Sequence, residues 1–383
     1  MADLLWFLLP VAAWSGWVTA TRYHAKNAAA HRSDELEPGY YEGLNYVLNE
    51  QPDKAIDVFL RMLETEDDTA ELHLAVGALF RRRGETERAI RIHQSLVNRP
   101  RLDRSHRDLA LLELGRDFLS AGLLDRAEEV FAEIQHSPTV GEAGLKHLVD
   151  VFQQEREWEK AIDTAQRYEV VSSHKQGGVV AHFYCELAEL GLAKSDFDGA
   201  TRNLELAKAA DPLCVRTYLL QCRVELKLGR PRVALSVLTT SPATRGAMLA
   251  EAVDLLMQCY EQLGSPSDVG RTIQELLGRD VSGPAVTGLA RLLESQHGPV
   301  LAQEMVAECI ERTPSLDALH RYLGMLNSRP NPDLRLSVDT VSRVVGALVG
   351  HEPRYRCERC GFTAHAMHWQ CPSCKSWGRV RTL

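Results

Sequence analysis

Four cysteines near the end of the chain carry its clearest chemistry. Cys357-Glu358-Arg359-Cys360 and Cys371-Pro372-Ser373-Cys374 are two C-x-x-C pairs with ten residues between Cys360 and Cys371. A C-x-x-C step turns tightly enough to aim two thiolates at one ion. Two such steps supply the four ligands of a closed tetrahedral site. Sites of this kind hold zinc or a single iron ion, and the spacing does not choose between them. A redox dithiol is the competing reading of one C-x-x-C, and the second pair close by argues against it. His365 and His368 lie between the pairs and read as surface or packing residues rather than substitute ligands. Trp369 and Trp377 are expected to cover the metal, because so short a fragment has little other core.

The order C-x-x-C-G then C-P-x-C resembles a rubredoxin-type knuckle pair in minimal form, over residues 355–380. The chain holds nine cysteines, and the other five, Cys185, Cys214, Cys222, Cys259 and Cys309, stand singly among apolar residues. An odd count without regular spacing argues against a disulfide framework and for a reducing compartment. No P-loop, no G-x-G-x-x-G and no nucleophile elbow is present. His93, His106, His136 and His147 are separated and read as satisfied histidines on helix surfaces. The chain therefore reads as a non-enzyme.

The elements that position this knuckle form a repeat. A small residue, an aromatic three later and an alanine twelve later recur as Gly43/Tyr46/Ala55, Gly77/Phe80/Ala89, Gly115/Phe118/Ala127 and Val149/Phe152/Ala161. Ala188/Ala200 and Cys222/Ala234 keep the offset without the aromatic. Gly84, Gly122 and Gly229 stand five before their alanines, and Phe59, His93, Phe131 and Leu204 stand four after. The spacing predicts helix pairs: the small residue admits the second helix, the aromatic fills the seam, and the glycine ends the first helix. The alanine is the contact point where nothing larger fits. This resembles the tetratricopeptide repeat, in about eight units over roughly 36–312. The alanines step by 34, 38, 34, 39 and 34 residues, so longer turns are expected near 100–106 and 172–178. Residues 315–350 read as a capping helix pair broken at Ser328–Pro332.

The N-terminal run Leu4–Thr21 is 18 residues without a charge. As a helix it spans about 27 Å, close to a bilayer core of about 30 Å. Val18-Thr19-Ala20 imitates a cleavage site, but the preceding segment carries Asp3 and no basic residue, unlike a signal peptide. Arg22, Lys26 and Arg32 follow the run, which places the rest of the chain in the cytoplasm.

Charge is uneven. The whole carries −8, residues 1–33 carry +2 and residues 351–383 carry +4, which leaves −14 for the body. Nothing in that balance calls for nucleic acid. Where the acidic body is more than a solvated face, it favours basic partner segments.

The expectation is an all-α fold: a tetratricopeptide-repeat solenoid with an N-terminal transmembrane helix and a small C-terminal rubredoxin-like metal-binding domain. Residues 1–21 are the anchor, 22–35 a basic juxtamembrane linker, 36–350 the array with its cap, and 355–383 the knuckle.

The full-length order of anchor, array and terminal knuckle is similar to the lipopolysaccharide assembly protein B family of Gram-negative inner membranes. Tyr355–Phe362, Trp369–Cys374 and the opening Leu4–Trp17 carry that resemblance. It implies a non-enzymatic inner-membrane adaptor, single-pass, with its bulk on the cytoplasmic side. It implies four metal ligands, Cys357, Cys360, Cys371 and Cys374, around one iron or zinc ion. It implies as partners the membrane protease FtsH, the lipid A deacetylase whose destruction the adaptor promotes, an inner-membrane lipopolysaccharide sensor, and other lipopolysaccharide synthesis or transport proteins. The oligomeric state is left open, a homo-oligomer included. The competing readings are a general membrane-tethered scaffold or co-chaperone, and a redox or nucleic-acid module built on the knuckle.

Overall fold

The computed structural model describes residues 38–49, 51–63, 69–241, 249–264, 286–288, 290–291, 293–294, 298–312, 314–327, 332–351 and 353–382. The expected anchor and linker lie outside the described residues. Among the described residues no helix is long and apolar enough to cross a membrane. The chain parts into two compact units between Val151 and Phe152.

The first unit holds α1 (Pro38–Leu48), α2 (Pro52–Leu63), α3 (Ala70–Arg82), α4 (Thr86–Val97), α5 (Arg104–Ser120) and α6 (Leu124–Ile134). Helix α7 (Gly141–Glu155) runs across the boundary. The second unit continues with α8 (Trp158–Ser172), α9 (Gly177–Ala193), α10 (Phe197–Ala210), α11 (Val215–Lys227), α12 (Pro231–Thr240), α13 (Leu249–Leu263) and α14 (Pro299–Arg312). Over the residues expected to form the cap stand α15 (Leu316–Asn327) and α16 (Pro332–His351), and residues 328–331 of the expected break lie outside the described residues. Both longer turns also stand where the alanine steps put them, at 98–103 and 173–176.

Local chemistry sets the helix starts. Thr69 accepts from the Leu72 amide at 3.3 Å, and Asp196 accepts from the Gly199 amide at 2.9 Å. These side chains satisfy amides that a first turn leaves without partners. Proline opens α1, α2, α12, α14 and α16, where its missing N–H costs nothing.

The repeat residues meet as expected. Ala55, Ala89, Ala127, Ala161, Ala200 and Ala234 have no exposed surface. A Cβ on Gly43 would stand 2.2 Å from Phe59 Cε1, on Gly77 2.3 Å from His93 Nε2, and on Gly115 2.5 Å from Phe131 Cε1. In these three repeats the small residue of the first helix is thus the socket for the large residue of the second.

The turn within each pair is equally regular. Gly84, Gly122 and Gly229 have φ of +84°, +74° and +69°. The next residue's amide returns to the carbonyl of the aromatic position: Glu85 to Phe80, Leu123 to Phe118 and Arg230 to Glu225, each at 2.9 Å. This is the six-to-one closure of a helix end through a left-handed residue. In the Ala161 and Ala200 repeats, which have no glycine there, the same position is left-handed, as Arg156 at φ 59° and Ser195 at φ 60°.

A further regularity escapes the sequence reading. Lys54, Arg88, Arg126 and Lys160 each precede the repeat alanine by one residue. Each lies over the repeat aromatic, 5.6 Å above Tyr46, 5.5 Å above Phe80, 4.6 Å above Phe118 and 5.1 Å above Phe152. Each contact is worth about 0.5–1 kcal/mol at a partly exposed site.

The chain ends in a three-stranded antiparallel sheet of order β2-β1-β3, with β1 (Tyr355–Cys357), β2 (Thr363–Ala364) and β3 (Val380–Thr382). Tyr355 faces Ala364 on one side and Thr382 on the other, and Cys357 faces Val380.

Candidate metal centre and its docking face

The two knuckles are built alike. In the first, the Cys357 amide donates to Phe362 O at 2.7 Å and the Gly361 amide to Cys357 O at 2.9 Å. In the second, the Cys371 amide donates to Ser376 O and the Lys375 amide to Cys371 O, both at 2.9 Å. The residue after each second cysteine is left-handed, Gly361 at φ 76° and Lys375 at φ 57°. That turn folds each pair of side chains to one side.

All four sulfurs lie within 4.8 Å of one another. Across the knuckles, Cys357 Sγ to Cys374 Sγ and Cys360 Sγ to Cys371 Sγ are both 3.7 Å. A tetrahedron with metal–sulfur bonds of about 2.3 Å has edges of about 3.8 Å, so the donor set fits a zinc or iron ion. Cys357 and Cys371 are buried, and Cys360 is exposed.

The surroundings prepare part of this set as thiolate. The Ser376 hydroxyl donates to Cys374 Sγ at 2.8 Å and holds that thiol down to about 6. Burial opposes the Cys357 thiolate, but the amides of Cys360 and Arg359 outweigh it and its pKa lies below the ordinary thiol value. Burial pushes Cys371 up to about 11. A bound cation would favour the thiolate at all four.

The centre's apolar cover is Val380 with Tyr355, Phe362 and Met367. Trp369 and Trp377, expected to cover the metal, face the helices instead. The Trp377 indole N–H donates to Gln153 Oε1 at 2.6 Å. Its ring stacks on His182 at 5.2 Å and meets Phe183 and Trp158 edge-on at 5.9 and 6.3 Å. Trp369 lies 6.1 Å from His182. A ribbon this short lacks the interior for two indoles, and the repeat helices of the second unit provide it.

Arg216 anchors this face. It is 3% exposed, and its guanidinium carbon lies 5.9 Å from the Trp369 ring and 6.0 Å from the Trp377 ring. Glu186 and Glu189 hold it at 2.8 and 3.0 Å. Burial works against the charge, and the two carboxylates still raise its pKa. Gly378 closes the contact: at φ 58°, its Cβ would stand 2.8 Å from His182 Nε2. At the other end, Tyr355 donates to Glu251 at 2.6 Å, and Arg354 lies 3.8 Å from Asp317. The ribbon thus rests on Gln153 at the end of α7 and on α9, α11, α13 and α15.

The histidines sort differently from their surface reading. His93 is fully buried, with Nδ1 2.5 Å from Asp117 Oδ2. Arg81 donates to the same carboxylate at 2.7 Å and to Glu113 at 2.6 Å, which ties α3, α4 and α5 together. A polar residue filling the Gly77 socket demanded a buried acceptor, a pairing that spans 24 residues. His147 stacks on Phe131 at 5.1 Å, His106 bridges Asp103 and Glu71, and His136 is exposed. His368 packs edge-on against Phe362 at 6.3 Å, and His365 is exposed.

Residues 355–381 match the family described as a rubredoxin metal binding domain, and residues 72–108 match the tetratricopeptide repeat. Lipopolysaccharide assembly protein B of Escherichia coli (strain K12) is 36% identical over 384 residues, covering all of this chain and 98% of that protein. Its counterpart in Haemophilus influenzae is 30% identical over 393 residues, with the same coverage. Among solved structures, a tetratricopeptide repeat protein from Parabacteroides merdae aligns at a TM-score of 0.36 and 10% identity, over 80% of this chain and all of that one. The shared knuckle, the shared repeat and the end-to-end similarity place the chain in the lipopolysaccharide assembly protein B family.

Proposed function

We propose that the chain is a non-enzymatic adaptor of the inner membrane that limits lipopolysaccharide synthesis by promoting FtsH-dependent destruction of the lipid A deacetylase. The observation that carries this reading is the end-to-end similarity to lipopolysaccharide assembly protein B, 36% over the whole chain. Residues 1–21 anchor the chain by one helix, residues 22–35 link it to the array, and the bulk lies on the cytoplasmic side. The array of 36–350 presents binding surfaces, and residues 355–383 form the ribbon. Cys357, Cys360, Cys371 and Cys374 hold one iron or zinc ion, which fixes the ribbon and with it the docked tryptophans. An inner-membrane lipopolysaccharide sensor restrains the adaptor, and other lipopolysaccharide synthesis or transport proteins assemble on it.

The physical principle is effective concentration. A membrane-held array that also grips a soluble client makes the client's meeting with a membrane protease effectively intramolecular. The test is the half-life of the deacetylase after depletion of this chain in its native host, with protease level monitored. A lengthened half-life at constant protease supports the adaptor. An unchanged half-life discards it and leaves a scaffold with other clients.

A further inference from the structure

A cavity of about 900 Å³ opens in the second unit between α9, α11, α13 and Tyr355 of the ribbon. Its volume lies near the top of the range of roughly 300–1,000 Å³ typical of ligand sites. Its wall is charged, and the two signs are not equally available. Glu189 is held by Arg216 at 3.0 Å, Glu251 accepts from Tyr355 at 2.6 Å, and Asp317 lies 3.8 Å from Arg354. Arg223, Lys227 and Arg291 are exposed and have no ion pair or hydrogen bond among the described residues. Asp254 is the one lining carboxylate in the same condition among the described residues. In a chain of net charge −8, the cavity keeps three of its four lining acids engaged and, Arg354 apart, leaves its lining cations without an ion pair among the described residues.

The spacing is informative. Arg223 and Lys227 stand one turn apart on α11, about 6 Å along the helix. Gln258 and Gln262 stand one turn apart on the neighbouring α13, exposed and lining the same cavity. Alternate side chains of an extended chain lie about 6.6–6.8 Å apart on one face. A cation ladder on one helix and an amide ladder on the next therefore match one strand-like segment. The cations meet its side chains, and the amides meet its backbone N–H and C=O groups.

We propose that this cavity binds an extended peptide segment carrying two acidic side chains at alternate positions, one against Arg223 and one against Lys227. The proposal deepens the adaptor reading by giving the client segment a chemistry opposite to the one the acidic body suggests. Peptide binding to the purified chain is measured without reference to deacetylase turnover, so either reading can fail alone.

The experiment is fluorescence anisotropy on the purified full-length chain. The probes are three labelled nonapeptides of one neutral scaffold. The first carries two glutamates separated by one residue, the second carries two adjacent glutamates, and the third carries two lysines separated by one residue. The alternate-glutamate peptide is expected to bind at least fivefold more tightly than the adjacent-glutamate peptide and at least tenfold more tightly than the lysine peptide. Arg223→Glu with Lys227→Glu should weaken it at least tenfold. Arg202→Glu with Arg232→Glu changes the charge equally at exposed sites off the cavity and should leave it within twofold. All four positions are exposed, so the folded state survives, and an unchanged thermal melt verifies this. Equal binding of all three peptides, indifference to the cavity pair, or displacement of the peptide by inorganic phosphate beyond that by chloride at equal ionic strength would each overturn the proposal.

Discussion

The Trp377 indole stacks on the His182 imidazole at 5.2 Å while its N–H donates to Gln153 at 2.6 Å. One ribbon side chain is thereby held by two repeat helices at once, α7 and α9. Its polar edge finds an acceptor and its face finds rings, which is how a large amphipathic aromatic gains most from a contact.

Trp377→Ala should loosen the ribbon from the helices without emptying its metal site. The loss of a half-buried indole at such a contact should cost about 2–3 kcal/mol, below the 3–5 kcal/mol of a fully buried ring. Hydrogen exchange on residues 355–382 should accelerate while metal content stays constant. Loss of metal together with the contact would place Trp377 in the centre after all.

Serine at Cys357 and Cys371, or removal of metal by a chelator, should unfold the ribbon and release both tryptophans. The sulfurs sit at tetrahedral edge distances, and a ribbon core of this size depends on its ion. Tryptophan emission should shift to the red, and readdition of metal should reverse the shift. Unchanged emission on metal removal would contradict the coupling.

Arg156→Gly and Ser195→Gly should each stabilise the second unit. Both residues are exposed and occupy the left-handed turn position that Gly84, Gly122 and Gly229 fill in three other repeats. Relief of the L-residue penalty of about 1–2 kcal/mol exceeds the glycine entropy cost of about 0.5–1 kcal/mol. A net gain of about 0.5–1 kcal/mol each should appear as a higher thermal midpoint.

His106 gives a pH-dependent contact. Hydrogen bonds to Asp103 and then Glu71 raise its pKa above the ordinary 6.5, and the same contact lowers that of Asp103 below 3.8. The histidine's share of stability is present below 6.5 and fades as pH rises through its raised value. The aspartate's share is present above 3.8 and fades as pH falls below it. His106→Gln should therefore lower the thermal midpoint more at about pH 5.5 than at about pH 9, and by little, because the groups are solvent-screened. An equal loss at both pH values would exclude the charged contact.

Much of this architecture was legible because the repeat reports on backbone approach. Gly77 and Ala89 are small for steric reasons, and steric reasons recur at fixed spacing. The knuckles were legible for the same reason, since metal geometry dictates C-x-x-C. The cations over Tyr46, Phe80, Phe118 and Phe152 were equally periodic, but lysine and arginine on a helix read first as solvated charge. The left-handed turns at Arg156 and Ser195 were hidden because no glycine marks them. His182, Arg216 and Gln153 were invisible as a docking face: each is ordinary in its own helix, and the tryptophans they serve lie far along the chain. Local spacing carries no trace of such a contact.

The central claim is that this chain brings the deacetylase to the protease at a membrane. The direct measurement is the degradation rate of purified lipid A deacetylase by FtsH in proteoliposomes, with and without the full-length chain. The account predicts severalfold faster degradation with the full chain, and return to the basal rate when residues 22–383 replace it at the same concentration. No acceleration by the full chain, or equal acceleration by the unanchored fragment, would contradict it.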